Sequence, residues 1–507
     1  MNTQTQHQDS SDKIHIASLM HDSGVGFGTS GARGLVQDMT DRVCYAYTTA
    51  FIQYLKTQGQ LKAGESIGIA GDLRNSTPRI MSAVAHAIID NDCVPVNTGF
   101  IPSPAIAYYG LQKKIPNIMV TGSHIPDDRN GIKFNTSTGE ILKVDEEGIR
   151  AQTIKLPAGL FSADGSFTQP LNKLPKEDPA ATNLYIKRYL DFFPADCLAG
   201  LKIGLYEHSG VARDVLSVIL SRLGADLVHL GRTDIFMPVD TEAIRPEDIE
   251  LAQSWSSEYK LDAIVSTDGD ADRPLVSTED GTWLRGDIAG ILCAAYLNID
   301  HVVTPVSSNT AVELSGLFKS VSRTQIGSPY VIAGMQQAHT DKLGTVAGYE
   351  ANGGFLQETP VTLNSKTLSA LPTRDAIIVI LSILTMAQSQ NVKISALTEA
   401  LPARFTASDR LKNFPTATSK MCIAKLIDGD TESSHQAINT TFGQLCGKVD
   451  RTDLTDGLRM TFQNGEIIHL RPSGNAPEFR CYNEADSLSR VENLNQACME
   501  IICKWHI

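Results

Sequence analysis

The chain has 507 residues, of which 42% are hydrophobic and 20% are charged. At about 150 residues per domain, this length predicts three or four domains with cores of their own. It excludes a single small binding module, and the composition excludes a disordered or collagen-like chain. Lys and Arg number 44 against 57 Asp and Glu, a net charge of −13. This charge disfavours binding to nucleic acid or anionic lipid, so any phosphate must be held by a few focused cations.

Three features bear on location. The nine cysteines contain no C-x-x-C pair, and their odd number fits no disulfide framework, which favours a reducing cytoplasm. The polar N-terminus lacks the regions of a secretory signal and is expected to be a frayed tail. The most apolar stretch, residues 376–387, is 12 residues long, whereas a membrane span takes about 20. It is therefore expected to be a buried helix.

Two segments of the chain have the same pattern of predicted elements, and a third has a weaker version of it. Each begins with an apolar β run, continues with an amphipathic helical pattern and ends in a second β run. The copies start at Ile67, Ile203 and Val302. We therefore expect three tandem, similar α/β domains with mixed sheets. In the first copy, Ser76 and Thr77 are expected to cap the helix.

Beyond about residue 405 the pattern changes to short mixed segments, which predict a smaller α+β domain. The expected organisation is a polar tail at 1–13, followed by domains at 14–180, 181–283, 284–405 and 406–507.

The segment STDGDADR places Asp268, Asp270 and Asp272 directly after an apolar strand. Alternate residues of an extended chain point to the same side, so the carboxylates can converge on one hard divalent cation. A calcium EF-hand is an alternative, because Glu279 falls at the twelfth loop position. However, Arg273 occupies the sixth position, where that loop needs Gly, and a β-prone run follows instead of a helix. A solvated acidic turn is the second alternative, disfavoured because the carboxylates repel one another unless a cation lies between them.

The segment VTGSHIPDDRNGIKF follows another apolar strand. Ser123, between Gly122 and His124 at the tip of that strand, can be an exposed nucleophile, and Lys133 could return close to it. Alone, the pattern equally suits a polar turn. The acidic segment favours the nucleophile, because a phosphorylated serine supplies oxygens that a divalent cation would bridge.

The segment RPSGNAPEFR combines several groups that suit a dianionic phosphate. The arginines are bidentate donors, the serine offers a hydroxyl, and the Gly-Asn turn can direct its N–H groups inward. These residues are Arg471, Ser473, Gly474, Asn475 and Arg480. A surface loop is the alternative interpretation.

Two glycine-rich segments are less specific. Residues 26–31 match G-x-G-x-x-G, but no amphipathic helix follows, so a loop that presents Arg33 to a negative ligand is preferred over a dinucleotide site. In GYEANGG, Glu350 and Asn352 suit neighbouring hydroxyls of a sugar, with an ordinary turn as the alternative.

Together, and in this order, the segments resemble the α-D-phosphohexomutase superfamily, most of all its bacterial phosphomannomutases and phosphoglucomutases. The resemblance extends over about residues 27–480 and includes the D-G-D-x-D-R block without a mismatch. It implies four domains around a central cleft, the fourth of the TATA-binding-protein-like kind. It also implies a cytoplasmic isomerase of carbohydrate metabolism that interconverts hexose 6-phosphate and hexose 1-phosphate, as a monomer or small homo-oligomer.

The resemblance further implies that Ser123 carries the transferable phosphoryl group. Hexose 1,6-bisphosphate would turn over in the site as an intermediate and serve as activator. Mg²⁺ would be held by a phosphoserine oxygen and three carboxylates, those of Asp268, Asp270 and Asp272.

The remaining groups are assigned on the same basis. Arg33 and Arg273 would stabilise the transferring phosphoryl group, while His124 and Lys133 would line its loop. Glu350 and Asn352 would bind sugar hydroxyls. The phosphate that is not transferred would be held by Arg471, Ser473, Gly474, Asn475 and Arg480.

Two departures from the family pattern affect the mechanism. Many members have a histidine, proposed as a general base, where this chain has Gly354. His124 and Lys133 are then the candidate bases, and a lysine would need a lowered pKa. Asn475 and Ala476 also replace the usual Thr and Glu of the phosphate loop.

Glucose and mannose differ in the configuration at C2, and these motifs do not distinguish the two sugars at that position. The combination of GYEANGGF, FMPVDTEA and RPSGNAP is most similar to bacterial phosphomannomutases, which favours mannose phosphates over glucose phosphates. A metal-dependent phosphatase and a silent sugar-phosphate binding protein stay open as alternatives.

Overall fold

The computed structural model describes residues 13–28, 31–169, 174–473 and 477–505. They form two compact units, one comprising residues up to 283 together with 362–381, the other comprising 284–361 together with 382–507. Residues 1–12 of the expected tail lie outside the described residues, while Lys13 begins the first strand.

Among the described residues between Lys13 and Lys155, the first domain contains five helices and nine strands. In chain order these are β1 (Lys13–His15), α1 (Ile16–Ser23), β2 (Gly26–Phe27), β3 (Gly31–Leu35), α2 (Asp41–Thr57), β4 (Ser66–Gly71), α3 (Thr77–Asp90), β5 (Val94–Phe100), α4 (Ser103–Lys113), β6 (Asn117–Val120), β7 (Arg129–Thr136), β8 (Gly139–Glu140), α5 (Lys143–Arg150) and β9 (Thr153–Lys155).

The second domain is smaller than the first and lies in the same unit. It consists of α6 (Ala180–Phe192), β10 (Lys202–Tyr206), α7 (Arg213–Arg222), β11 (Asp226–Leu230), α8 (Pro246–Tyr259), β12 (Ala263–Thr267) and β13 (Pro274–Val276).

The third domain lies mainly in the second unit. Its elements are α9 (Gly286–Tyr296), β14 (His301–Pro305), α10 (Ala311–Leu314), β15 (Ser320–Thr324), α11 (Ser328–Thr340), β16 (Val346–Tyr349), β17 (Phe355–Gln357), β18 (Val361–Leu363), β19 (Lys366–Leu368), β20 (Leu371–Asp375), α12 (Ala376–Gln390) and α13 (Ile394–Glu399).

The expected repeat is confirmed by strand order. The sheets contain the series β5-β4-β6-β7, β11-β10-β12-β13 and β15-β14-β16-β17. In each series the first three strands are parallel and the last is antiparallel. The sheets are therefore mixed, as predicted, and each has one loop that joins its third strand to its antiparallel strand.

That repeated loop carries three of the segments singled out above. Residues 121–128 join β6 to β7, residues 268–273 join β12 to β13, and residues 350–354 join β16 to β17. In α/β sheets, ligands bind at the carboxyl ends of parallel strands, where such loops lie. The repeat thus delivers chemically active side chains at equivalent places in three domains.

The fourth domain has the expected α+β character. It contains β21 (Phe405–Lys412), α14 (Thr416–Leu426), α15 (Thr431–Cys446), β22 (Val449–Asp453), β23 (Leu458–Phe462), β24 (Ile467–Pro472), β25 (Glu478–Ala485) and α16 (Leu488–Ile502). Its strands form an antiparallel sheet in the order β21-β25-β24-β23-β22.

One face of this sheet supplies the core of the fourth domain. Leu458, Met460 and Phe462 alternate along β23 and pack with buried residues of α14, α15 and α16. Because side chains alternate along a strand, Arg459 and Thr461 lie on the opposite face.

Helix α12 is buried along most of its length, as expected for the apolar stretch it contains. Among the residues that the structure describes, no helix has the length and apolar character needed to cross a membrane. All nine cysteines are free thiols.

Ser76 is at the N-cap position of α3, as expected, but the expected capping hydrogen bond does not form. Ser76 has a helical backbone and makes no capping hydrogen bond. Its hydroxyl accepts a hydrogen bond from Asn130 Nδ2, and the Thr77 hydroxyl donates to Asp72 Oδ1 at 2.7 Å. Both hydroxyls are used in tertiary contacts around the Ser123 loop instead of at the helix end.

Candidate active site

Ser123 lies in the loop after β6 and contacts the acidic loop of the second domain. Its hydroxyl donates to Asp268 Oδ2 at 2.6 Å, and its side chain is buried. The backbone has a φ of 54°, in the left-handed region that is uncommon for a serine. Thr121 Oγ1 supports this turn by accepting the Ser123 N–H at 2.8 Å. The turn therefore places the serine oxygen against a carboxylate.

A buried ion pair at the end of β4 holds the same loop from behind. Asp72 Oδ2 accepts the Thr121 hydroxyl at 2.7 Å and the Gly122 N–H at 3.3 Å. Arg74 Nε donates to Asp72 at 3.1 Å. The Arg74 guanidinium also donates to four backbone carbonyls at 2.6–3.1 Å, those of Ser123, Ile125, Pro126 and Arg129.

The ring of Phe236 covers this guanidinium, whose carbon lies 3.9 Å from the ring centroid. Sequence reasoning missed Asp72 and Arg74. The available signal was that they lie within three residues of the end of an apolar strand, as Ser123 and Asp268 do.

The structure brings the three expected carboxylates together. Asp268, Asp270 and Asp272 are buried, and one oxygen of each lies within 4.8 Å of the others. Asp270 Oδ1 and Asp272 Oδ1 have no hydrogen-bond partner among the described residues. Burial and the two neighbouring carboxylates raise the pKa of Asp268 well above its usual value. Hard oxygen ligands with unused lone pairs fit a divalent cation such as Mg²⁺.

Positive side chains offset part of this charge. Lys133 Nζ donates to Asp270 Oδ2 at 2.6 Å and to Asp272 Oδ2 at 2.7 Å. Arg374 donates to Asp272 Oδ2 at 2.8 and 3.1 Å, and the Ser103 hydroxyl donates to Asp270 Oδ2 at 2.5 Å. Sequence reasoning missed Ser103 and Arg374, which belong to no recognisable motif.

The two candidate bases have opposite electrostatic environments. Burial would lower the pKa of Lys133, but Asp270 and Asp272 raise it above the usual value. His124 Nδ1 lies 3.3 Å from Ser123 Oγ, and burial, helped by nearby arginines, lowers the pKa of His124 to about 2. Lys133 is therefore a protonated donor in this arrangement, and His124 is a neutral imidazole.

Two arginines lie beside the acidic loop. Arg33 is in β3 opposite Gly131 of β7, and its guanidinium makes no hydrogen bond within the described ranges. Burial and the charge of Arg273 lower the pKa of Arg33 to about 10. Arg273 Nε lies 3.6 Å from Asp272 Oδ1 and 4.0 Å from Asp268 Oδ2. Cations so close to Ser123 and the carboxylates can neutralise phosphoryl oxygens.

The glycine-rich segment before Arg33 does not lead into a helix. Residues 26–27 form β2, which pairs with β3, and residues 29–30 lie outside the described residues. The EF-hand alternative is also excluded, because the acidic loop leads into strand β13.

The expected sugar loop is a tight turn in the second unit. Glu350 and Asn352 are largely buried, and Asn352 Oδ1 accepts the Gly354 N–H at 2.9 Å. The turn packs closely on the start of α9, where a Cβ on Gly286 would lie 2.3 Å from the Gly353 nitrogen. The position of Gly286 thus requires a glycine.

The expected phosphate loop joins β24 to β25 on the polar face of the fourth domain's sheet. Arg471 of β24 lies opposite Arg480 of β25, which lies opposite Arg410 of β21. Ser473 is buried, and its N–H donates to the Glu478 carbonyl at 2.9 Å. Residues 474–476, including the expected Gly474 and Asn475, lie outside the described residues.

Acidic partners of these arginines were also missed. Glu478 contacts Arg480 at 3.2 Å and Arg410 at 3.4 Å. Asp456 Oδ2 accepts Arg471 Nε at 2.7 Å and the Ile326 N–H at 3.0 Å. Arg410 extends the pair Arg471 and Arg480 to a row of three cations, which could bind an oxyanion.

Comparison with known proteins identifies the family. Models of the phosphoglucomutase/phosphomannomutase alpha/beta/alpha domains I, II and III match residues 24–158, 184–281 and 285–405. A phosphomannomutase of Salmonella muenchen is 44% identical over 485 residues, 96% of this chain and 97% of the relative. A phosphomannomutase of Sinorhizobium fredii is 42% identical over 473 residues, 93% and 97% of the two chains.

Solved structures share the fold. A putative phosphomannomutase from Thermus thermophilus superposes with a TM-score of 0.72 at 19% identity, covering 94% of this chain and 99% of that one. A phosphoglucomutase/phosphomannomutase family protein from Burkholderia thailandensis gives 0.70 at 18% identity, covering 94% and 97%. The chain belongs to the phosphoglucomutase/phosphomannomutase family.

Proposed function

We propose that this protein is a phosphohexomutase that interconverts mannose 6-phosphate and mannose 1-phosphate. The observation that carries the proposal is the 2.6 Å contact between the Ser123 hydroxyl and Asp268 within a buried cluster of carboxylates. A serine oxygen so placed can hold a phosphoryl group next to a divalent cation. The two relatives above 40% identity, both named phosphomannomutase, support mannose as the sugar.

In the proposed reaction, Ser123 carries the phosphoryl group at the start of each cycle. The P–O bond to Ser123 Oγ breaks as a P–O bond to the free hydroxyl of the sugar monophosphate forms. That hydroxyl loses its proton, and Ser123 Oγ takes up a proton to become a free hydroxyl. The resulting bisphosphate reorients and returns its other phosphoryl group to Ser123. Its hexose 1,6-bisphosphate form would therefore also activate any chain whose serine has lost its phosphate.

We expect charge stabilisation to contribute more to this phosphoryl transfer than removal of the hydroxyl proton by a base. Asp268, Asp270 and Asp272 would hold Mg²⁺, and the chemistry that a bound Mg²⁺ supplies is neutralisation of phosphoryl charge. Arg33 and Arg273 would donate hydrogen bonds to the oxygens of the transferring phosphoryl group. Phosphoryl transfer has a loose transition state that depends chiefly on positioning and charge stabilisation. The reaction thus tolerates the absence of a strong base, whether the proton goes to neutral His124 or to water.

Residues of the third and fourth domains are proposed to bind the sugar hydroxyls and the phosphate that is not transferred. Arg471, Arg480 and Ser473, with the backbone of Gly474 and Asn475, would hold the phosphate that is not transferred. The cross-strand row of arginines supports this assignment. Glu350 and Asn352 would bind sugar hydroxyls that nearly superpose in the two orientations of the substrate.

The free thiols support a reducing, cytoplasmic location. The net charge of −13 supports small sugar phosphates, and not nucleic acid, as partners of a monomer or small oligomer.

The test is a mutase assay with Mg²⁺ and trace bisphosphate, run on mannose 1-phosphate and glucose 1-phosphate side by side. We expect the wild type to convert mannose 1-phosphate faster, the Ser123→Ala variant to lose turnover, and a Ser162→Ala control at an exposed turn to keep it. Full activity of Ser123→Ala would show that Ser123 does not carry the transferred phosphoryl group. Release of inorganic phosphate at the rate of substrate loss would indicate a phosphatase, and no turnover of either sugar would indicate a binding protein.

A further inference from the structure

A second cationic pocket lies within the second unit, on the polar face of the fourth domain's sheet. It has a volume of about 550 Å³ and opens between β22, β23 and the start of α10. Arg323, Arg404, Arg451 and Arg459 line it. Its lining includes none of the arginines of the proposed phosphate loop.

Two of these arginines are already paired. Arg323 donates to both carboxylate oxygens of Glu313 at 2.8 Å. Arg404 donates to Glu484 Oε1 at 2.6 Å and to the Gly465 carbonyl at 2.6 Å. The guanidinium groups of Arg323 and Arg404 therefore balance the charges of Glu313 and Glu484.

Arg459 differs from them. Its guanidinium has no hydrogen-bond or salt-bridge partner in the part of the chain that the structure describes. It is partly buried, and burial together with the charge of Arg323 lowers the pKa of Arg459. An unpaired guanidinium held near a second cation costs stability, and a bound anion would offset that cost.

Further donors face the same space. The Thr461 side chain lies two residues along β23 from Arg459 and also lines the pocket, with no hydrogen-bond partner for its hydroxyl among the described residues. Arg451 lies opposite Thr461 on β22 and is exposed, and its guanidinium lies 3.9 Å from Asp450. Arg459, Thr461 and Arg451 thus form a patch of donors on neighbouring strands.

We propose that this pocket binds a small phosphorylated anion at a site separate from the phosphohexomutase centre. Guanidinium groups bind phosphate oxygens in bidentate fashion, and the hydroxyl of Thr461 adds a third donor. The volume of about 550 Å³ falls in the range of small-molecule sites.

The neighbouring strands β23 and β24 connect this pocket to the proposed phosphate loop. Arg459 lies opposite His469 on β24, two residues before Arg471. An anion on Arg459 therefore binds the same pair of strands that positions Arg471.

The experiment measures binding of inorganic phosphate to the full-length protein by isothermal titration calorimetry. The Arg471→Met variant, which weakens the proposed phosphate loop, serves as the background. We expect a saturable site to persist in Arg471→Met and its affinity to fall about tenfold or more when Arg459→Met is added, the loss expected for one charged hydrogen-bonding partner. An Arg222→Met control on an exposed surface of the first unit should leave the affinity unchanged.

Equal affinity with and without Arg459→Met would overturn the proposal, as would the loss of all phosphate binding in Arg471→Met alone. Thr461→Val, which keeps the side-chain shape, is the second variant if Arg459→Met perturbs folding by circular dichroism. It should also weaken phosphate binding, and an unchanged affinity would again contradict the site.

Discussion

Asp456 accepts a hydrogen bond from Nε of Arg471 at 2.7 Å, which fixes the arginine at the entrance of the proposed phosphate loop. The same carboxylate oxygen accepts the Ile326 N–H at 3.0 Å, so one side chain links the third and fourth domains within the second unit. Asp456 is thus a positioning residue. It orients the guanidinium of Arg471 and links it to the residues that precede α11.

The Asp456→Asn substitution tests this link. The amide keeps the size of the side chain but loses the charge that orients Arg471, so we expect KM for the sugar phosphate to rise about tenfold with a smaller change in kcat. Steady-state kinetics checks the split, and Asp428→Asn, at an exposed position of the same domain, is the control. An unchanged KM would show that Asp456 does not position Arg471.

Arg74 is the residue that holds the Ser123 loop in shape, and Arg74→Lys tests that role. A lysine cannot make the set of contacts that the guanidinium makes with Asp72 and four carbonyls. A displaced serine should lower kcat by about 100-fold while KM changes little. Kinetics and the fraction of phosphorylated Ser123 provide the measurement.

The control is Arg79→Lys, which affects an arginine with a partly exposed side chain paired to Asp41. If Arg74→Lys matched that control in kcat and in serine phosphorylation, the loop would not depend on Arg74.

Lys133 offsets the charge of the acidic cluster, which predicts a coupling between Lys133→Met and Mg²⁺. Without the ammonium, Asp270 and Asp272 are less well compensated, at a cost of about 3 kcal/mol in unfolding free energy. Added Mg²⁺ should restore part of that loss. We therefore expect Mg²⁺ to raise the Tm of Lys133→Met more than that of the wild type, measured by calorimetry against a chelator.

Lys187→Met is the matched control, because Lys187 pairs with Asp191 on the exposed face of α6 and should contribute little. An equal Mg²⁺ effect on Lys133→Met and the wild type would contradict the proposed metal site.

His469 makes stability depend on pH. It is buried, and burial lowers its pKa to about 4, whereas the unfolded value is about 6.5. Between these values the unfolded chain binds a proton that the folded chain does not, so unfolding free energy falls as pH decreases from about 7 to 4, by up to about 3 kcal/mol. Denaturant unfolding over this range should show a shallower loss in His469→Gln than in wild type.

His21→Gln, at a highly exposed position, should leave the pH profile of wild type unchanged. A His469→Gln profile as steep as that of wild type would refute the assignment.

Much of the fold and site could be predicted because the repeat places its active loops in equivalent positions. Ser123, Asp268 and Glu350 each follow the third strand of a repeat, where apolar residues give way to polar ones. This change is visible in the sequence.

Contacts between distant segments could not be predicted in this way. Arg374 contacts Asp272 across 102 residues of chain, and Ser103 contacts Asp270 across 167. Neither belongs to a motif. The capping of α3 was mispredicted for a related reason, since Ser76 and Thr77 have tertiary partners that local sequence rules do not include.

Transfer of labelled phosphate tests the central proposal most directly. The full chain, labelled at Ser123 with isotopic phosphate and freed of excess label, is mixed with unlabelled mannose 6-phosphate and Mg²⁺, and the products are separated. The proposed mechanism predicts that the label leaves Ser123 and appears in hexose bisphosphate and then in mannose 1-phosphate. Label that stays on the protein, or that is released only as inorganic phosphate, would contradict it.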